Sequence, residues 1–540
     1  MDAGRSGLPE DAPLNLLEVP VVIKLSISTA ALSGTWIWRE HSLHHGGSRI
    51  EPLRHPALET ATVSDGVRTL LCVRERTPHE PTPAACLRTV SPPELDRLRA
   101  ECLSWPLEHL TAELDRRRRT VRLATGAWGT LPLHLVASRE RLDASWRPTD
   151  LTAHVAAGAL DDHEVCALLA YRHRYGHATC WRDVKRLTER STATFSEQGL
   201  HLAYPEPAEH GLPRELVPGA APVKVFDALL ADAVTRRPLA DRSVGVQLSG
   251  GIDSANIAMA LGAAHPGRVC AGALLIGGGA GEQQARRRQM MIANMRLAGD
   301  VTVSALTHLP FAADGARGAD PLLAGPGEEP YFEAADALAD TFATAGSGLV
   351  FTGFGGDEFS APSPRPAVPP ARRRPVPVWC GPKVTMALEH WAEGAAPSTV
   401  VPRSTLLALG VVGPLLVRRG LWPVSPFADP RVVRFGEWLP DDWRDGKKLL
   451  RDRLASAGLP QSVVRPVLRE NFRHVMAASV RRTLVPLLRG WGGDLYLAQA
   501  GYVDPDALAL AVERAEHAPE EYTRLYAVVA LEHFLRGMDT

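Results

Sequence analysis

Apolar and polar residues alternate over 21–28 (VVIKLSIS), 120–123, 131–137 and 142–145, and turns at Thr125-Gly126 and Trp128-Gly129 separate the later runs. A period of two turns one face of each segment toward a core, so these runs predict short strands. From 151 to 171 the spacing of Leu, Val and Ala becomes helical. The chain up to about residue 200 therefore predicts an α+β unit of many short strands. Residues 204–222 (YPEPAEHGLPRELVPGAAP) hold five prolines and no sustained period, which predicts a linker and a domain boundary. Beyond it, strands alternate with helices: helix 223–236, strand 244–248, helix 252–264, strand 270–276, helix 282–297 and strand 349–352. That order predicts a parallel sheet with helices on its faces.

The stretch 361–383 carries eight prolines, four arginines and a lysine but no acid, which predicts a mobile loop. Trp379 within it suggests a docking role. From 384 to 540 the pattern is mostly helical; the apolar run 406–417 contains Pro414, is too short to span a bilayer, and reads as a buried helix or two.

Composition narrows the function classes. With 60 basic and 61 acidic residues in 540, no global field points to nucleic acid or an anionic membrane. The length exceeds one ordinary core, so two domains are expected. Seven dispersed cysteines without a CxxC pair signal neither a disulfide framework nor a zinc site. Reduced thiols and a cytoplasmic location are expected, because the first residues lack the basic-then-apolar layout of a secretory signal. The four arginines at 116–119 read as a solvated face. His41, His44 and His45 are close enough to share a helix face, yet no matching further ligand is recognisable, and they read as surface histidines.

Two loops carry the chemistry. VGVQLSGGIDS at 244–254 is an apolar strand, a glycine turn and a helix start. Glycines let backbone approach an anion, while Ser249, Ser254, free N–H groups and the helix dipole attract it. The GK[ST] ending of a Walker A loop is absent. Asp253 stands among these donors, and a carboxylate beside a phosphate site requires a cation between them, for which magnesium suits oxygen ligands. A second acid cluster, TGFGGDE at 352–358, also follows an apolar strand. Ligands gather at the carboxyl ends of parallel strands, so Asp253 and Asp357 are candidates to share one magnesium.

At these residues the sequence resembles a known family. SGGIDS is similar to the pyrophosphate loop of ATP pyrophosphatases, and TGFGGDE resembles the second signature of asparagine synthetase-type enzymes. The resemblance extends to PFADP at 426–430, to KKLLR at 447–451, and to a glutaminase-like domain at GAWGTLPLHL (126–135) and ASW (144–146). It implies an N-terminal α+β glutaminase-like (Ntn-type) domain over 1–205, a linker at 206–222, and an α/β parallel-sheet synthetase domain with a helical C-terminal part over 223–540. It also implies ATP and Mg2+ as cofactors. Ser249, Gly250, Gly251 and Ser254 would cradle the pyrophosphate. Leu248 and Gly353 would flank the adenosine, with Thr352 on the nucleotide side, and Asp253 and Asp357 would hold the metal.

Departures from asparagine synthetases bear on the reaction. Position 2 is Asp2 where a glutaminase has its nucleophilic cysteine, and Phe354 replaces a glutamate. Both imply that the nitrogen is an amine already on the substrate. RYGHAT at 174–179 and VKRLTER at 184–190 resemble segments of lasso peptide macrolactam synthetases. That likeness implies AMP-forming closure of a lactam between an Asp or Glu side chain and the terminal amine of a core peptide. The expected partners are a linear precursor, a leader peptidase and a peptide-recognition protein. A β-lactam-type or other small-molecule amide synthetase is the alternative, and a nucleotide-binding scaffold is the third reading. Family members carry a lysine in an RPK-like segment; RPVLRENF at 465–472 has Val467 there, with Arg469 the nearest following cation. Lys447 and Arg469 are the candidate catalytic cations.

Overall fold

A computed structural model of the chain describes residues 23–78, 86–130, 132–156, 158–239, 242–361, 375–390 and 393–539. Its N-terminal part contains two seven-stranded sheets. In one, Ile23–Ser28 is central, antiparallel to Arg141–Ser145 and to Ser48–Pro52. In the other, Arg68–Glu75 lies between Leu58–Ser64 and His109–Asp115. Alternation produces the layering. Along Arg68–Glu75, Leu71 and Val73 enter a core shared with Leu25 and Ile27 of the first sheet, while Leu70 and Cys72 meet Leu95 and Cys102 under the helix Pro92–Leu103.

The second part is a five-stranded sheet of β1 (Ser243–Gln247), β2 (Val269–Leu275), β3 (Gly299–Ser304), β4 (Ser347–Phe351) and β5 (Trp422–Val424). The order is β3-β2-β1-β4-β5 and every pair is parallel. Helices Ile252–Ala264, Gly278–Met295 and Phe332–Thr344 link its strands. Gly245 and Gly272 admit the ring of Phe342, since a Cβ on Gly272 would sit 2.2 Å from it. Among the described residues no helix is long and apolar enough to cross a membrane. The apolar run around Pro414 is one buried helix, Arg403–Arg418.

Several sequence expectations need correction. The helix expected over 151–171 is a 3-10 turn at Pro148–His154 and a short helix, Asp162–Leu169. Asp161 starts that helix by accepting a hydrogen bond from the Glu164 N–H at 3.1 Å, so a side-chain cap interrupts the apolar period. Trp379 is 4% exposed and belongs to the core of the C-terminal helices, facing Tyr522 at 6.2 Å. A large indole gains more from that burial than from a place on a surface loop. Residues 362–374 of the expected loop lie outside the described residues, whereas Pro382–Glu389 is helical. His44 and His45 lie on the strand Ser42–His45, with His41 in the preceding turn, so no helix face forms. The arginines at 116–119 occupy an exposed turn, with Arg118 and Arg119 paired to Asp115 and Glu197.

A buried charge cluster joins the two parts. Glu75 accepts two hydrogen bonds from Arg237, both 2.7 Å, and one from Trp422 Nε1 of β5 at 2.5 Å. All three side chains are buried. Removing the cation leaves a buried carboxylate uncompensated, which costs about 3–5 kcal/mol. Arg237→Ala is expected to lower the unfolding free energy by about that amount in urea titrations, while Arg117→Ala in the exposed turn changes it by less than ~0.5 kcal/mol.

Between the N-terminal sheets, Glu108 and Glu189 line an interior pocket of about 40 Å3. Burial raises each carboxyl to about 7. A folded value above the unfolded one means that the stability from the neutral acid is complete below the unfolded value and lost as pH rises through 7. Relative to the wild type, Glu189→Gln is expected to gain stability as pH increases from about 5 to 8, measured by denaturant unfolding at each pH.

Candidate functional site

In the parallel sheet, β2 and β3 lie to one side of β1, and β4 and β5 to the other. The chain order reverses between β1 and β4, and loops leaving their carboxyl ends open a crevice there. SGGIDS leaves β1 and TGFGGDE leaves β4, so the topology brings both motifs together.

The first loop turns at Gly250, whose φ of +95° favours glycine, and Gly251 caps the helix Ile252–Ala264. Ser249 Oγ accepts a hydrogen bond from the Gly251 N–H and lies 3.2 Å from Ser254 Oγ. A turn of this kind at a helix start is suited to holding an anion. The second loop docks on the first through missing side chains. A Cβ on Gly353 would lie 2.9 Å from Ser254 N, and one on Gly356 would lie 2.4 Å from Asp253 Cγ. Thr352 turns to Ser425 just before the 426–430 segment, with their hydroxyls 2.6 Å apart. Leu248 is buried at the end of β1, where its carbonyl accepts from Arg288 Nε at 2.6 Å.

Lys447 completes the centre. Its Nζ lies 2.5 Å from Asp253 Oδ2 and 2.6 Å from Asp357 Oδ1. Gly446 and Lys447 both have left-handed backbone, φ 55° and 59°, ahead of the helix Lys448–Ser456. That helix is fixed to the first loop's helix by Arg453, which donates to the backbone and side-chain oxygens of Asn256 at 2.9 and 3.0 Å and pairs with Asp227. Burial pushes the Asp253 carboxyl above its usual range, and Lys447 offsets only part of that. For Lys447, burial alone would favour the neutral amine, but the two carboxylates outweigh it and raise its pKa.

These residues fit magnesium. Asp253 Oδ1 is buried and has no hydrogen-bond partner among the described residues, and the two carboxylates converge on one positive group. Among the described residues no group of three or more His, Cys, Asp or Glu is close enough to hold a metal. Water, alone or with phosphate oxygens, would therefore complete the octahedron that magnesium demands.

Four side chains that the sequence reading missed brace the loop. Gln284 donates to the Ser249 and Leu274 carbonyls, both at 2.9 Å. Arg288 holds Leu248 and pairs with Asp300. Arg287 pairs at 2.7 Å with Glu470, whose carboxylate lies 3.1 Å from where a Gly250 Cβ would stand. The signal was present in QQARR at 283–287, polar residues on a helix face that ought to be apolar. Val467 is 92% exposed, and Arg469 is exposed in a cleft beside Ile276 and Gly277. The structure thus brings Lys447, and not Arg469, to the aspartates.

A cavity of about 400 Å3 opens beside Phe354. Its N-terminal wall includes Arg174, Thr179 and Arg186 from the segments 174–179 and 184–190. Those segments fold on each other, with the Arg186 guanidinium donating to Gly176 O at 3.0 Å and the Glu189 N–H to Tyr175 Oη at 3.0 Å.

Residues 225–409 match the asparagine synthase family. The matched span contains both acid motifs and ends before Lys447. The family carries ATP-dependent amide-bond formation in general, which accords with an anion cradle beside two carboxylates and a cation. No curated protein matches the chain.

Replacing Lys447 by Met leaves Asp253 Oδ2 without its partner, a loss of ~1–3 kcal/mol in unfolding free energy. Millimolar Mg2+ is expected to raise the melting temperature of Lys447→Met but not of Lys447→Met/Asp253→Ala, measured by calorimetry without nucleotide.

Proposed function

We propose that the protein is an AMP-forming, glutamine-independent amide ligase that closes a lactam within one peptide, on the pattern of lasso peptide cyclases. The observation that carries this reading is the joining of two features at one place: the Asp253–Lys447–Asp357 centre at the switch point, and a cavity of about 400 Å3 beside Phe354. Ligand cavities usually span about 300–1,000 Å3, so it has room for the residues of a peptide. The pocket inside the N-terminal sheets measures about 40 Å3 and no cysteine lines it, which supports an amine donor other than glutamine.

In this reading an Asp or Glu side-chain carboxylate of the peptide attacks the α-phosphorus of ATP. A P–O bond breaks, pyrophosphate leaves, and a mixed acyl–phosphate anhydride with AMP remains. The peptide's amine then attacks the acyl carbon, the C–O bond to AMP breaks, and the nitrogen loses a proton. The cradle of Ser249, Gly250, Gly251 and Ser254 holds the pyrophosphate oxygens by backbone and hydroxyl donors. Lys447 supplies a fixed positive charge beside the leaving group. Magnesium bound by Asp253 and Asp357 would add charge neutralisation there. Closing a ring within one molecule is chiefly a matter of orientation, and that falls to the cavity walls. A leader peptidase and a peptide-recognition protein would deliver the linear core peptide. A small-molecule amide synthetase is the second reading, favoured by how far the cavity is walled in by residues from five stretches of the chain.

With a leader-free linear peptide, the wild type is expected to form AMP and pyrophosphate in equal amounts, and Asp253→Ala and Asp357→Ala to lose at least about a hundredfold in turnover. ADP as product, glutamine hydrolysis, or full activity in both variants would overturn the proposal. Turnover of amino-diacids in place of peptide would transfer it to the second reading.

A further inference from the structure

The walls of the cavity beside Phe354 are mainly apolar, and most of their charged groups already have partners. Glu164 pairs with Arg174 at 2.6 Å, and Glu328 with Arg418 at 3.4 Å. Arg186 is turned to the Gly176 carbonyl. His134 is held neutral, because burial lowers its pKa to about 3, and its Nδ1 lies 3.3 Å from Trp146 O.

Glu329 is different. One of its oxygens accepts the Tyr331 N–H at 3.0 Å, and it has no ion-pair partner among the described residues. The nearby Arg317 is already held by Glu333 at 2.7 Å and by the Tyr526 hydroxyl at 3.0 Å. Yet Glu329 is half-buried and lines the cavity, so its carboxylate is within reach of whatever enters. An unpaired carboxylate among apolar walls is costly by itself and selects a ligand that brings a cation with apolar surface attached.

We propose that this cavity is an amine pocket: an apolar group carrying a primary amine lodges in it, with the ammonium held by Glu329. The inference rests on the ligase reading for its purpose, since a lactam needs an amine delivered to the activated carboxylate, and the cavity lies against the residue between Gly353 and Gly355. Burial raises the Glu329 carboxyl, and an ammonium beside it acts in the opposite direction, favouring the ionised form. Phe354 provides an apolar wall beside that position where a glutamate would compete for the same ammonium.

The probes are 2-phenylethylamine and its neutral counterpart 2-phenylethanol, titrated into the full chain by calorimetry and saturation-transfer NMR. The wild type is expected to bind the amine at least several-fold more tightly than the alcohol. Loss of a charge-assisted hydrogen bond in Glu329→Gln is expected to weaken the amine by about tenfold or more and to leave the alcohol unchanged. A second variant guards against misfolding. Gly410 lies in the helix Arg403–Arg418 and on the cavity wall, and a Cβ there meets only Pro132 Cγ at 3.9 Å. Gly410→Leu intrudes on the cavity without a backbone clash and is expected to weaken binding of both probes several-fold. Equal affinity for amine and alcohol, undiminished amine affinity in Glu329→Gln, or unchanged binding in Gly410→Leu would each overturn the proposal. Exchange of pyrophosphate into ATP in the presence of a carboxylate peptide lacking its amine separates the two claims. Glu329→Gln should retain that exchange, whereas its absence in the wild type would sink the ligase reading and leave the amine-binding result standing.

Discussion

Asp253 and Asp357 carry like charges, and the parallel sheet forces them together. Their loops leave neighbouring strands at the point where strand order reverses, and glycines at 353 and 356 let the backbones interlock at distances no side chain would permit. Two carboxylates so placed need a cation. Lys447 meets that need, and among the described residues Asp253 Oδ1 has no hydrogen-bond partner beside it. Much of the surrounding packing fixes this one juxtaposition. Arg453 ties the lysine's helix to Asn256, Gln284 and Arg288 hold the carbonyls of Ser249 and Leu248, and Phe342 seats the strands against their helix through Gly245 and Gly272. Such over-determination is what allows a site to hold strain in the form of repelling charges.

How much of this was legible follows from the range of the interactions. SGGIDS and GGDE are contiguous, because a turn, a cap and a helix start are local requirements, and the sequence therefore displays them in order. The alternation of strands and helices after residue 222 was legible for the same reason. Lys447 could be named from its neighbours in the KKLLR helix, yet its contact with two aspartates far away in the chain could not be derived from spacing. Glu470, Arg287 and Gln284 act across 183 and 35 positions and leave only a faint local trace, polar residues on a helix face. Periodicity misled at 151–171, where the Asp161 cap overrides an apolar pattern, and at Trp379, where prolines nearby suggested a loop but tertiary burial decided. The cavity was invisible for a plainer reason: its walls come from five separate stretches, around 132–186, 325–330, 354, 407–414 and 526–527.

The same walls give the N-terminal part a structural task. Its two sheets pack so closely that about 40 Å3 remains between them, whereas about 400 Å3 opens at the joint with the parallel sheet. Glu75, Arg237 and Trp422 hold that joint shut from the inside, and Trp422 stands on β5, next to β4 and its acid loop.

Exposure within the centre is unequal, and the inequality has a direction. The side chain of Asp253 is 18% exposed, while that of Asp357 is 85% exposed, although both reach Lys447. Water can screen Asp357 but hardly Asp253, so the electrostatic strain is concentrated on the inner carboxylate. In the proposed reaction, a polyanion with its metal ion would meet the exposed, screened carboxylate first. The cavity beside Phe354, by contrast, has mainly apolar walls.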